Sequence, residues 1–283
     1  MADALRAAGE AAVELVPITT SGDRPAGPET PSDKSRFVKE IEEALLAGEV
    51  DVAVHSAKDV PGEIPEGLEI AAVPAAEDPR DAIVGASSLD ALPGGAVVGT
   101  SSLRRRSQLL ALRPDLEVVG LRGNVDTRLR KLAEGGYDAI VLALAGLRRL
   151  GRAAEAAPLA PEQMVPAPGQ GALVLEARTG DDPTVRALAA LGDPDSRTRL
   201  ECERTLVSAL DTSCHTPVGA HAVLDGDVLR LHAYVGLPDG SEWIVDMAEG
   251  DPSDPPSLGV RLAERLRAAG AGELLERAQS SAL

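Results

Sequence analysis

Aromatic side chains are nearly missing from this sequence: one Trp, two Tyr and one Phe in 283 residues, 1% of the chain. That scarcity argues against a nucleic-acid platform made by stacking bases on rings, and it leaves Val, Leu, Ile and Ala to build the core. Positive charge is in deficit. Lys and Arg number 28 against 45 Asp and Glu, a net charge of −17, which argues against a general polyanion binder. Lysine is confined to Lys34, Lys39, Lys58 and Lys131. Cysteine is limited to Cys202 and Cys214; in a reducing compartment each is expected as a thiol that needs its own explanation. No apolar run is long enough to span a bilayer, and Met1-Ala2-Asp3-Ala4-Leu5-Arg6 lacks the basic-then-apolar order of a secretory signal. The expectation is a cytoplasmic protein with neither a membrane nor a nucleic-acid partner. No pair drawn from Cys214, His215, His221 and His232 has standard zinc-ligand spacing, so no metal is expected. There is no P-loop and no dinucleotide-binding glycine fingerprint.

What is present is enough apolar residue, 44% of the chain, for two or three domains with real cores. Helix-forming Ala4 to Ala12 leads into a predicted strand, Val13 to Ile18. A polar loop, Thr20 to Lys34, precedes a helix from Arg36 to Ala47. Valine-rich alternation predicts a buried strand at Val50–Val54. Strands follow at Leu68–Val73, Asp81–Val84, Val97–Gly99, Leu116–Leu121 and Tyr137–Leu142. Helices are expected from Thr100 to Leu112, from Val125 to Glu134 behind an Asn124 cap, and from Ala143 to Leu150. This alternation implies a parallel or mixed sheet covered on both faces. Pro166-Ala167-Pro168-Gly169-Gln170-Gly171 reads as a hinge. After a strand at Ala172–Glu176 and helices at Thr184–Leu191 and Thr198–Leu210, three alternating strands, Val218–Leu224, Val228–Val235 and Glu242–Met247, predict an antiparallel meander. Helices at Pro256–Ala269 and Gly272–Gln279 close the chain.

Two features point to chemistry. His55-Ser56-Ala57-Lys58-Asp59-Val60-Pro61 follows the Val50–Val54 strand, and Pro61 ends it. Lys58 and Asp59 therefore sit where a strand gives way to a loop, the edge where ligands bind in open α/β sheets. Arginine is concentrated just past three other strands: Arg104, Arg105 and Arg106; Arg122 and Arg128; Arg148 and Arg149. With the hydroxyls of Thr100, Ser101 and Ser102 at a helix start, these planar forks suit carboxylates. In so acidic a chain, three such clusters favour a polycarboxylate ligand.

Together these residues resemble the porphobilinogen deaminase (hydroxymethylbilane synthase) family. The similar segments are Phe37-Val38-Lys39-Glu40, His55 to Pro61, Glu77-Asp78-Pro79-Arg80-Asp81-Ala82, Gly99 to Arg105, Leu121-Arg122-Gly123-Asn124-Val125, Ala145 to Gly151 and Gly169-Gln170-Gly171-Ala172. They stand in the family's order and spacing over nearly the whole chain. The resemblance implies two periplasmic-binding-protein-like α/β lobes around a cleft, residues 1–74 with 172–190 and residues 78–167. A small C-terminal α+β domain with a three-stranded antiparallel sheet, 194–283, would carry the cofactor.

The resemblance also implies a transferase that joins four porphobilinogen molecules head to tail, releasing ammonia, to give hydroxymethylbilane in tetrapyrrole and heme biosynthesis. A dipyrromethane cofactor would be bound by thioether to Cys214, since Cys214-His215-Thr216-Pro217-Val218-Gly219 is similar to the family's cysteine loop. Asp59 is then the expected catalytic carboxylate, opposing the cation left by deamination, with Lys58 beside it. Lys34, Ser56, Lys58, Thr100, Ser101, Ser102, Arg104, Arg105, Arg122 and Gln170 are expected around the cofactor, and Arg128 and Arg149 around substrate. Cys202, mid-helix, reads as a small apolar residue. The family favours a monomer.

This sequence departs from the family pattern in three places. The family's opening strand with its Thr-Arg-x-Ser motif has no counterpart, so either an upstream start or a first sheet short of that strand is expected. The Gly-Gly-Lys-Gly lid reads Ser32-Asp33-Lys34-Ser35-Arg36, and the residue before the cysteine is Ser213 rather than Gly. A paralogue that binds a polycarboxylate or tetrapyrrole without turnover is the alternative these changes leave open.

Overall fold

The computed structural model describes residues 1–7, 9, 13–21, 38–211 and 216–281. Lys34 and Cys214, with the lid segment, lie outside them.

Three sheets organise the described residues. The first contains β1 (Ala53–Ser56), β2 (Leu68–Ala72) and β8 (Leu173–Arg178), in the order β1-β8-β2, with β8 antiparallel to both neighbours. Alternation along β8 serves two cores. Val174 packs with Val38, Ala57, Val60 and Val73, while Leu175 and Ala177 pack with Leu5, Ala72 and Leu188. Helices α1 (Ala2–Ala7), α2 (Lys39–Leu46) and α6 (Asp182–Ala189) belong to this part of the chain. Two expectations are corrected here. Val13–Ile18 is not in a sheet, and Leu15 is 74% exposed. β1 starts at Ala53 rather than Val50, because the Val50 carbonyl and the Asp51 carboxylate are taken by the Arg178 guanidinium. As a sheet edge, β1 leaves Val54 44% exposed instead of buried.

The second sheet holds β3 (Asp81–Val84), β4 (Val97–Gly99), β5 (Glu117–Val119), β6 (Ala139–Ala143) and β7 (Ala156–Pro158), in the order β5-β4-β6-β3-β7. β4 is parallel to β5 and β6; β3 is antiparallel to β6 and β7. Ile83, Val98 and Val141 face one core and Ala82, Val84, Ile140 and Leu142 the other, so both faces are covered as the pattern predicted. β7 was not expected, since Ala156-Ala157-Pro158 carries no strand signal of its own; pairing with β3 alone makes it a strand. Helices α3 (Leu103–Leu112), α4 (Val125–Ala133) and α5 (Leu144–Arg149) connect the strands. The register has a consequence for the site. Gly99 and Val119 end β4 and β5 side by side, Ile140 near the start of β6 pairs with Gly99, and β6 runs on to Ala143, opposite which antiparallel β3 places its first residue, Asp81.

The third sheet is the meander β9 (Val218–Asp225), β10 (Val228–Gly236) and β11 (Trp243–Gly250). It packs on α7 (Pro194–Ala209), α8 (Pro255–Ala268) and α9 (Ala271–Ser281) through a core of Ala, Val and Leu. A Cβ at Gly259 would stand 2.8 Å from the Cys202 carbonyl, so glycine permits the close α7–α8 approach.

Candidate active site

β1 ends at Ser56, and Ala57–Asp59 forms a single 3₁₀ turn. The turn is tied to the first sheet: the Ala57 amide donates to the Ala172 carbonyl at 3.0 Å. Just before it, the buried His55 Nε2 lies 3.1 Å from Glu176 Oε2 on β8. Lys58 is half-buried, and burial pushes its ammonium down to about 8, with Asp59 pulling it up and Arg105 pushing it further down. The charge of Asp59 pulls up the guanidiniums of Arg105 and Arg128, both from the second sheet's side. The sequence-predicted Lys58–Asp59 pair and the predicted arginines thus meet across the two sheets.

On the facing edge, Ser102 caps α3 by accepting the Arg105 amide at 3.4 Å. The helix start then carries two buried arginines onto one carboxylate. Asp81, fully buried, accepts Arg104 Nη1 on Oδ2 at 2.7 Å and Arg105 Nη2 on Oδ1 at 2.8 Å. Burial alone would push this carboxyl up; the two guanidiniums override that and hold it well below the usual carboxylate range. Gln170 Nε2 joins them, 3.0 Å from Asp81 Oδ1 and 2.6 Å from the Pro79 carbonyl. Arg104 Nη1 also donates to the Val165 carbonyl at 2.7 Å, and Arg105 Nη1 donates to the Val141 carbonyl at 2.9 Å. Arg104 and Arg105 are therefore internal struts, not loose arms reaching into solvent.

Three polar atoms on this edge are buried with no hydrogen-bond partner among the described residues: Ser101 Oγ, Arg104 Nε and Gln170 Oε1. Unpaired buried polar atoms are costly and rare, and all three belong to residues predicted to hold the cofactor. Thr100 is buried, Arg122 exposed and Arg128 half-buried, with Arg128 Nε on the Gly123 carbonyl at 2.6 Å. Burial pushes the Arg128 guanidinium down to about 10. Arg149 donates to the Gly171 carbonyl at 2.8 Å, whereas Arg148 pairs with Asp78 and Glu77. The segment that follows Cys214 reaches the same region, since a Cβ at Gly219 would lie 2.9 Å from the Val165 carbonyl that Arg104 grips. Cys202 is buried in α7, and burial, with Glu203 adding to it, pushes its thiol up to about 12, which suits an inert core residue.

Sequence reasoning gave no role to Asp81 or Glu203. Each left a signal. Asp81 opens an otherwise apolar strand, Ala82-Ile83-Val84, and a carboxylate there needs a counter-charge. Glu203 lies between Leu200 and Leu206 on the apolar face of its helix.

Comparison with known proteins decides the family. Residues 1–186 match the family model described as porphobilinogen deaminase, dipyromethane cofactor binding domain, and residues 197–268 match porphobilinogen deaminase, C-terminal domain. The chain belongs to the porphobilinogen deaminase family. A porphobilinogen deaminase of Roseiflexus castenholzii is 50% identical over 281 residues, covering 96% of this chain and 92% of that one. One from Thiobacillus denitrificans is 48% identical, covering 94% and 89%. Among solved structures, a TRAP periplasmic solute binding protein from Desulfovibrio salexigens aligns with a TM-score of 0.36 at 14% identity, over 55% of this chain and 58% of that one. The family's cofactor fits the residues present. Ser101 Oγ and Arg104 Nε offer donors to the carboxylates of a dipyrromethane, and Gln170 Oε1 offers an acceptor to a pyrrole N–H.

Proposed function

We propose that this chain, as a hydroxymethylbilane synthase, joins four porphobilinogen molecules head to tail with release of ammonia, between the Ala57–Asp59 turn and the edge carrying Asp81, Thr100–Ser102 and Arg128. The supporting observation is the convergence there of Lys58, Asp59, Arg104, Arg105 and Arg128 with three buried, unpartnered polar atoms. A substrate carrying acetate and propionate groups needs cations at its rim and a carboxylate at its reacting centre. Asp59 fills the second role. It opposes, as a carboxylate, the cation left as ammonia departs, and takes up a proton in the transfer that follows. Lys58, kept close to neutral-pH titration, holds or yields a proton beside it. Arg128 and Arg149 supply the rim charge for substrate, while Lys34, Ser56, Lys58, Thr100, Ser101, Ser102, Arg104, Arg105, Arg122 and Gln170 surround the cofactor. Bound through Cys214, the dipyrromethane supplies the pyrrole end at which the chain begins to grow.

The same reading divides the chain into lobes of residues 1–74 with 172–190 and 78–167, closing like periplasmic binding proteins, and a cofactor-carrying domain, 194–283. It has a single chain at work in the cytoplasm on a small molecule, with no nucleic acid or membrane partner. No helix among the described residues is long and apolar enough to cross a membrane. Intact mass and peptide mapping test the reading: a mass gain of two linked pyrrole units on Cys214 supports it. An unmodified thiol after incubation with porphobilinogen or hydroxymethylbilane contradicts it and favours binding without turnover.

A further inference from the structure

The hinge turn is held from three sides, and one of its holders lies in the C-terminal domain. Glu203, on α7 and 7% exposed, accepts the Gly169 amide on Oε2 at 2.7 Å and the Ala222 amide of β9 on Oε1 at 2.7 Å. Its side chain therefore staples the hinge to the meander. His221 Nδ1 stands 3.9 Å away, and burial, followed by the charge of His232, holds that ring down to about 4, so it is neutral at neutral pH. Among the described residues no ion pair to Lys or Arg is formed by Glu203, and both of its oxygens are used on backbone amides.

What Glu203 holds is the hub of the proposed active site. Gly169 has φ +72°, and a Cβ there would lie 3.0 Å from the Ala57 carbonyl carbon. Its backbone thus abuts the turn that carries Lys58 and Asp59. The next residue, Gln170, reaches Asp81 on the facing sheet. Gly171, at φ +94°, is wedged against the Glu77 carbonyl, 2.3 Å from where its Cβ would be, and accepts Arg149. Ala172 accepts the Ala57 amide. Four consecutive residues thus touch both halves of the site, and Glu203 fixes the first of them.

We propose that Glu203 is a positioning residue, through which the C-terminal domain sets the placement of the Asp59 turn against the arginine edge. This rests on the function proposed above, and the test separates the two. Glu203→Gln keeps one acceptor and turns an N–H₂ toward the other amide, so one staple bond is lost. The expected result is a fall in kcat for porphobilinogen of about tenfold or more, since small misplacements of reacting groups are costly, with KM little changed. Amides of residues 57–60 and 166–172 exchange hydrogen faster, while those of 228–236 keep their protection. Gly169→Ala, which pushes on Ala57 from the other side, gives a similar kcat loss, and the double variant is not additive with the two singles. Wild-type kcat in Glu203→Gln, or additive effects in the double variant, overturns the proposal. So does faster exchange spread through 228–236, which marks general loosening. Should the wild-type protein not turn over porphobilinogen, the functional reading fails, and the exchange pattern alone still decides the staple.

Discussion

Asp81 and Glu203 are both buried carboxylates, and they are treated oppositely. Asp81 sits at the start of β3 with two guanidiniums brought onto it by the start of α3, and it stays charged far below its ordinary range. Glu203 accepts two backbone amides, with no Lys or Arg ion pair among the described residues, and burial pushes it up to about 7. Burial raises both; what separates them is whether counter-charges were buried too. The second sheet uses a carboxylate to assemble cations that a polycarboxylate ligand can face. The hinge uses one as a two-pronged hydrogen-bond acceptor with no formal partner.

Breaking the first of these has the largest effect. Asp81→Asn strands Arg104 and Arg105 as buried cations, and removing one partner from such a cluster costs about 3–5 kcal/mol; the midpoint of urea unfolding should fall accordingly. Glu203→Gln leaves one backbone amide unsatisfied and costs about 1–3 kcal/mol by the same assay. A larger loss for Glu203→Gln than for Asp81→Asn would invert the comparison.

The two groups also separate by pH. Asp81's folded-state value is depressed, so its stabilisation is present above its ordinary value of 3.8 and disappears as pH falls below it. Glu203's is raised from 4.5 to about 7, so its contribution is fully present below pH 4.5 and lost as pH rises through about 7. Thermal unfolding of wild type and Glu203→Gln from pH 4.5 to 8 should therefore diverge, with the wild-type curve falling across that window and the variant's flatter. Parallel curves would mean that Glu203 titrates near its ordinary value.

The smallest effect is expected at the remaining cysteine. Cys202→Ala removes one buried sulfur and costs about 1–2 kcal/mol, and in the native wild type Cys202 should resist a thiol reagent at neutral pH until unfolding. Labelling of Cys202 in the folded protein would contradict its buried, high-pKa placement.

Much of this was legible before any coordinates. The strand–helix alternation, the Asn124 cap, which accepts the Thr127 amide at 2.9 Å, and the C-terminal meander follow from local pattern. What was not legible depends on partners distant in sequence. β7 exists only because β3 lies beside it, and Val13–Ile18 fails as a strand because no ladder receives it. The arginines past the strands were visible as a cluster of like charge. That two of them fold inward onto Asp81, 23 and 24 residues earlier, depends on an antiparallel register that no local window contains. The Glu203 staple spans 34 residues to Gly169 and is hidden for the same reason.

The most direct test of the central claim is turnover of porphobilinogen by Asp59→Ala beside wild type, with intact mass measured on both. The account predicts hydroxymethylbilane from wild type, a loss of at least about a hundredfold in the variant, and the same two-pyrrole mass gain on both proteins. Turnover near wild type in Asp59→Ala would remove Asp59 from the reaction and, with it, the reason for placing the chemistry at this edge.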